Sequence, residues 1–113
     1  MKNSVLTILA FTLTLLFSSC DQNKSQTFHF DVMGCSNPWD SYYTADTFSY
    51  EHLEYAINAY LTDENVDVNS IAFDFDSTKM ELCFACHCTT GSVVIVNVKS
   101  GKKSKMKRLG FYQ

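Results

Sequence analysis

Apolar and polar residues alternate in two stretches of the chain and a third is rich in β-branched residues, and both patterns predict β-strands. The stretches are residues 27–32, residues 71–84 and the β-branched run at residues 93–98. The middle stretch is interrupted by Asp-Ser-Thr-Lys at residues 76–79, which has the composition of a tight turn. Residues 71–75 and 80–84 are therefore expected to form a β-hairpin.

A different period, with apolar residues three and four positions apart, predicts a helix between the first two stretches. Leu53, Ala56, Ile57, Tyr60 and Leu61 form its apolar stripe, and Ser49 precedes it as a candidate N-cap. Residues 100–109 predict a short basic helix, with Gly110 as its left-handed C-terminal cap. The resulting order, β-α-β-β-β-α, predicts an α+β fold: a small sheet of three to four mostly antiparallel strands, one main helix and a short C-terminal helix.

The start of the chain has the pattern of an export signal. Lys2 is followed by thirteen uncharged, mainly apolar residues at 5–17, and then by Ser18 and Ser19. Thirteen residues extend about 20 Å as a helix, which is short of the roughly 30 Å hydrocarbon core of a bilayer. A transmembrane helix is therefore not expected there.

Cys20 directly follows these two serines, and the sequence around it resembles the lipobox of bacterial lipoproteins, with Phe17 where leucine is commonest. The resemblance implies cleavage between Ser19 and Cys20, a diacylglyceryl thioether on Cys20 and a further fatty acid, such as palmitate, on the new amine. It divides the chain into a signal peptide (1–19), a lipidated cysteine with a polar tether (20–26) and one small α+β domain (27–113). The expected location is the cell envelope, anchored in a membrane and facing the periplasm or the cell surface. An ordinary cleaved secretion signal is the alternative.

Charge is unevenly distributed along the chain. All twelve acidic residues lie between Asp21 and Glu81, whereas six of the nine basic residues follow Leu82. Either the two regions neutralise each other within one fold, or the basic tail binds an anionic membrane surface. A nucleic-acid partner is not expected, because the chain is net acidic and carries an export signal.

A cluster of chemically active side chains lies near the end of the acidic region. Cys83, Cys86, His87 and Cys88 fall within six residues, and Cys35 lies far upstream. An even number of cysteines in a small exported domain favours disulfides, with Cys35 bridged to the cluster. In a straight strand, Cys83 would point to the face opposite Cys86 and Cys88. A bridge from Cys83 to either residue therefore requires a bulge or a turn. A soft-metal site for Zn or Cu, free core thiols and a redox pair remain alternatives.

No sequence motif for a catalytic triad, a zinc hydrolase or a nucleotide site is present. The sequence therefore favours a non-enzymatic binding or structural module without a cofactor, partnered by membrane lipid through Cys20 and by another envelope protein or a glycan. Trp39, Tyr42 and Tyr43 beside Pro38 either stack on such a glycan or cover the core. The alternative function is soft-metal capture at the cluster of residues 83–88.

Overall fold

The computed structural model describes residues 24–113, so the predicted signal peptide, Cys20 and most of the tether lie outside the described residues. Three strands pair in the antiparallel order β1-β3-β2, which confirms the α+β class with its main helix and short C-terminal helix. The elements are β1 (Ser25–Met33), a 3-10 helix (Asp40–Tyr42), α1 (Tyr50–Asp63), β2 (Val68–Met80), β3 (Thr89–Lys99) and α2 (Lys103–Arg108). Within this part of the chain, no helix has the length and apolar character needed to span a bilayer.

Helix α1 begins where its sequence predicts. The Ser49 hydroxyl accepts a hydrogen bond from the His52 N–H at 3.1 Å, which satisfies one of the free donors of the first turn. Asn65, with φ of 60°, ends the helix in the left-handed conformation that asparagine tolerates. Four residues of the predicted apolar stripe are buried: Leu53, Ala56, Ile57 and Leu61.

One face of the sheet forms the core beneath the helices. Its buried residues come from β1 and from the central strand β3: Phe28, Phe30, Val94, Val96 and Val98. Trp39 is fully buried at one end of this core, and its ring meets that of Phe30 edge to face at 4.8 Å. Of the two roles considered for Trp39, covering the core therefore applies, because its buried ring has no free face for a glycan.

The predicted hairpin at residues 76–79 is wrong. Strand β2 continues through this stretch, and the register passes from Phe75 opposite Ser92 to Met80 opposite Thr90. Residues 76–79 therefore bulge from β2 opposite Gly91. Within the bulge the Asp76 carboxylate accepts hydrogen bonds from the Thr78 N–H at 3.0 Å and its hydroxyl at 2.6 Å. The turn-forming residues are satisfied locally without reversing the chain.

As a consequence, residues 81–88 are the connection between β2 and β3 instead of a fourth strand. The described element order is β-α-β-β-α, with the short 3-10 helix between β1 and α1. At the start of β3, Gly91 has φ of 89°, and a Cβ there would lie 2.7 Å from the Phe75 ring. Glycine permits both this backbone conformation and the close ring contact.

The C-terminus closes the outer edge of β1. Gly110 has φ of 95°, and the Phe111 N–H donates to the Met106 carbonyl at 3.0 Å, which is the predicted glycine-capped helix end. Tyr112 then pairs with His29 through two backbone hydrogen bonds of 2.6 and 2.9 Å. The edge of β1 is thus partly covered, and no described segment covers β2 in the same way.

Candidate functional site

The four cysteines of the domain form two disulfides. Cys35 pairs with Cys86 at a Cα–Cα distance of 4.5 Å, and Cys83 pairs with Cys88 at 6.2 Å. A turn makes the second pair possible, because the Cys88 N–H donates to the Ala85 carbonyl at 3.1 Å and brings the chain back. The first pair joins the end of β1 to this connection, as the expected bridge from Cys35 to the cluster requires.

The other candidate residues, His87 and Cys20, take no part in these disulfides. His87 is exposed at the tip of the connection, and Cys20 lies outside the described residues. Glu81, which the sequence did not single out, has a carboxylate oxygen within 4.8 Å of the sulfurs of Cys83 and Cys88. Soft metals bind thiolates, and in the disulfide form the sulfurs of Cys35, Cys83, Cys86 and Cys88 are bonded in two pairs and are not thiolates.

Acidic and basic regions meet at two places in the fold. Lys105 pairs with Glu64 at 2.9 Å, and Lys99 pairs more loosely with Asp67 at 3.8 Å. Both pairs are partly or largely exposed and add little stability. The backbone N–H of Ser100 donates to the Lys24 carbonyl at 2.8 Å, so the start of the described chain lies beside the basic segment.

On the sheet face away from the helices, Asp31, Lys79 and Tyr112 form a polar cluster. The Lys79 ammonium lies 3.0 Å from the Asp31 carboxylate, which also accepts the Tyr112 hydroxyl at 2.6 Å. The hydrogen bond to Tyr112, followed by that to Asp31, raises the pKa of Lys79. Burial, followed by the hydrogen bond to Asp31, raises the pKa of Tyr112. Because these groups are partnered with each other and join three segments, the cluster stabilises the C-terminus.

The outer edge of β2 is a more open feature. Strand β2 pairs with β3 along one edge, and no described strand pairs with the other. Its pairing is regular from Ser70 to Phe75 and shifts register on both sides of that stretch. Natural edge strands are usually protected by lysine, proline, bulges or short length. The sequence of this stretch, Ser-Ile-Ala-Phe-Asp-Phe, contains neither lysine nor proline.

Exposed aromatic rings flank this edge. Phe75 is 59% exposed, although it lies on the same face of β2 as Ile71 and Phe73, which pack against the core. The Tyr50 ring lies 5.1 Å from Phe73 and 5.3 Å from Phe48, so the rings form a continuous surface. Tyr55 is 69% exposed further along the helix.

Depressions follow one another between α1 and β2, and we call them together the β2 groove. One lies between α1 and the start of β2, and a second lies around Phe73 and Phe75. A third, of about 440 Å³, continues toward the end of β1 and is lined in part by Trp39. The indole N–H of Trp39 has no hydrogen-bond partner among the described residues.

The β2 groove is acidic as well as aromatic. Glu51 and Glu54 line its first part, Asp74 its second and Asp40 its third. None of the residues lining these depressions in the described part of the chain is a lysine, an arginine or a histidine. The groove therefore presents one sign of charge beside rings that attract cations.

Compared with known protein families, with curated proteins and with solved structures, the chain shows no match. The sequence indicates the cysteines, but it does not indicate the β2 groove or the cluster of Asp31, Lys79 and Tyr112. Both depend on the strand order, which brings together residues that are distant in the sequence. The absence of lysine and proline from residues 70–75 indicates an open edge only when β2 is known to be an edge strand.

Proposed function

We propose that this protein is a membrane-anchored lipoprotein of the bacterial cell envelope whose folded domain is a non-enzymatic binding module. The anchor is the lipid on Cys20, and the binding surface is the β2 groove. The observation that carries the binding proposal is the combination of a strand edge without a described pairing partner and exposed aromatic rings along one groove. Exposed apolar surface of this kind on a small domain is typical of an interaction site.

Two further observations support an exported, tethered domain. Two disulfides in a domain of this size are typical of an oxidising compartment. The described chain starts at β1 beside Ser100, whereas the disulfide-linked connection lies beyond the other end of β1. A tether of a few residues would hold the Ser100 end near the membrane and leave the groove accessible along the length of β2.

The anchor is tested by metabolic labelling with a fatty acid. Wild-type protein should incorporate the label and fractionate with membranes, whereas Cys20→Ala should do neither and should accumulate as a precursor. Label retained by Cys20→Ala would refute the lipid anchor.

The binding function is tested by native gel electrophoresis of the mature protein extracted from cell membranes in mild detergent. Wild type should migrate in a complex larger than the protein alone, and Tyr55→Ser or Phe75→Ser should shift it to the free form. Leu82→Ser is the matched control, because Leu82 is 94% exposed and does not line the groove. Identical migration of all four proteins would contradict the proposal.

A further inference from the structure

We infer that the ligand of the β2 groove is an extended, basic polypeptide segment that adds as a strand to the free edge of β2. The inference rests on the proposed function for the identity of the binding surface, and it adds the chemistry of the partner. It is carried by the regular open edge and by the charge of the groove.

The open edge favours a polypeptide in extended conformation. From Ser70 to Phe75 the backbone pairs in register with β3, so its outward N–H and C=O groups have the spacing that a further strand needs. The Phe75 N–H is the exception, because it donates to the Asp74 carboxylate at 2.8 Å. Six residues of strand span about 20 Å. The register shifts on either side of this stretch limit the added strand to about this length. Among the described residues, Tyr112 pairs with His29 on the outer edge of β1, whereas no segment pairs with the outer edge of β2.

The charge of the groove favours a basic segment. Glu51 and Glu54 of α1 line the groove, and the cations of the ion pairs described above are bonded to Asp31, Asp67 and Glu64. Asp74 contributes less, because its carboxylate accepts the Phe75 N–H and also lines a depression that contains Lys79. Alternate residues of an added strand point to the same side. Lysine or arginine side chains on one side can therefore reach the carboxylates and the rings of Tyr50 and Tyr55. Complementary charge increases the rate and the specificity of such an association.

A second copy of this chain fits the same edge less well. Pairing β2 with its own copy would bring two grooves of the same negative charge together, and facing like charges destabilise a strand pair. A glycan or a small acid would not use the row of backbone donors and acceptors. A basic strand satisfies both the edge and the charge.

The test uses the purified mature protein in non-ionic detergent at about 0.15 M salt, where exposed charges are screened beyond about 8 Å. The probe is a fluorescein-labelled seven-residue peptide of alternating lysine and valine. One comparison peptide carries glutamate in place of lysine. The other keeps the lysines but is N-methylated at every peptide bond, so it retains the charge and loses the backbone donors of both strand edges. Binding is measured by fluorescence anisotropy.

The lysine–valine probe should bind at least about tenfold more tightly than either comparison peptide, a difference of about 1.4 kcal/mol. Glu54→Gln should weaken its binding about two- to fivefold, the range of one exposed ion pair. Glu81→Gln should leave it unchanged, since Glu81 is exposed and does not line the groove. Both substitutions are at exposed positions and preserve the fold, and circular dichroism verifies this.

Amide hydrogen exchange locates the bound probe. The amides of residues 70–75 should become protected when the lysine–valine peptide is added, and those of β1 should not change. Equal binding of the N-methylated peptide, or protection elsewhere, would overturn the inference in favour of general electrostatic attraction. Protection of residues 70–75 that rises with protein concentration in the absence of peptide would overturn it in favour of a second copy. No binding at all would refute it while leaving the lipid-anchor and native-complex results as they stand.

Discussion

Ile57 and Asn58 are neighbours on α1 that differ completely in their surroundings. Ile57 is fully buried between the helix and the sheet, and Asn58 is exposed. Ile57→Ala should lower the free energy of unfolding by about 2–5 kcal/mol, because it removes buried methyl groups and leaves a cavity. Asn58→Ala should change it by less than about 0.5 kcal/mol. Urea denaturation of the three proteins measures both values, and a larger loss for Asn58→Ala would show that the phase of the helix is wrong.

The polar cluster of Asp31, Lys79 and Tyr112 contributes to the stability of the fold in a pH-dependent way. The folded state raises the pKa of Lys79 and that of Tyr112, through their hydrogen bonds and the burial of Tyr112. For groups whose pKa is raised on folding, the stabilisation is complete below the unfolded pKa, about 10 for both, and is lost as pH rises through the folded values. Melting temperatures of wild type should therefore fall more steeply above pH 10 than those of Tyr112→Phe. Parallel curves between pH 7 and pH 11 would contradict this role of the cluster.

The disulfide-linked connection between β2 and β3 stabilises the fold at the scale of elements. Cys35–Cys86 closes a separation of 51 residues, and Cys83–Cys88 closes one of 5 residues. In the chain-entropy account, their removal should destabilise the domain by about 4 and about 2 kcal/mol respectively. Cys35→Ser with Cys86→Ser should therefore lower the melting temperature more than Cys83→Ser with Cys88→Ser, and a chelator should have no effect. A melt that responds to the chelator and not to a reducing agent would support the metal alternative.

Local sequence signals determined which of these elements could be predicted. The start and the buried face of helix α1 were predicted because Ser49 and the apolar stripe act within the helix itself. The prediction of a hairpin at residues 76–79 was wrong because the same composition is found in turns and in bulges. Pairing with β3 on both sides of these residues makes them a bulge. Gly91 on β3 leaves the space that the Phe75 ring occupies, so β2 continues. A pairing of this kind cannot be read from one strand alone.

At the scale of the whole molecule, the features occupy different regions. The start of the described chain lies beside Ser100 and the basic segment, the disulfide-linked connection lies beyond the other end of β1, and the β2 groove runs along the opposite edge of the sheet. The sequence indicated the cysteines and the α+β class. It did not indicate the groove, because the groove is formed by residues of α1 and β2 whose proximity follows from the fold. Cys20 lies outside the described residues, so the anchor stays a prediction from the sequence.

The central claim is that the β2 groove is the surface through which this protein binds its partner. Site-specific photo-cross-linking in intact cells tests it most directly, with a photoreactive phenylalanine derivative at Tyr55 in the groove or at Lys103 on α2. Both positions are exposed, and Lys103 does not line the groove. A strong, discrete cross-linked product is expected from position 55, and little or none from position 103. Equal products from both positions, or a product from position 103 alone, would contradict it.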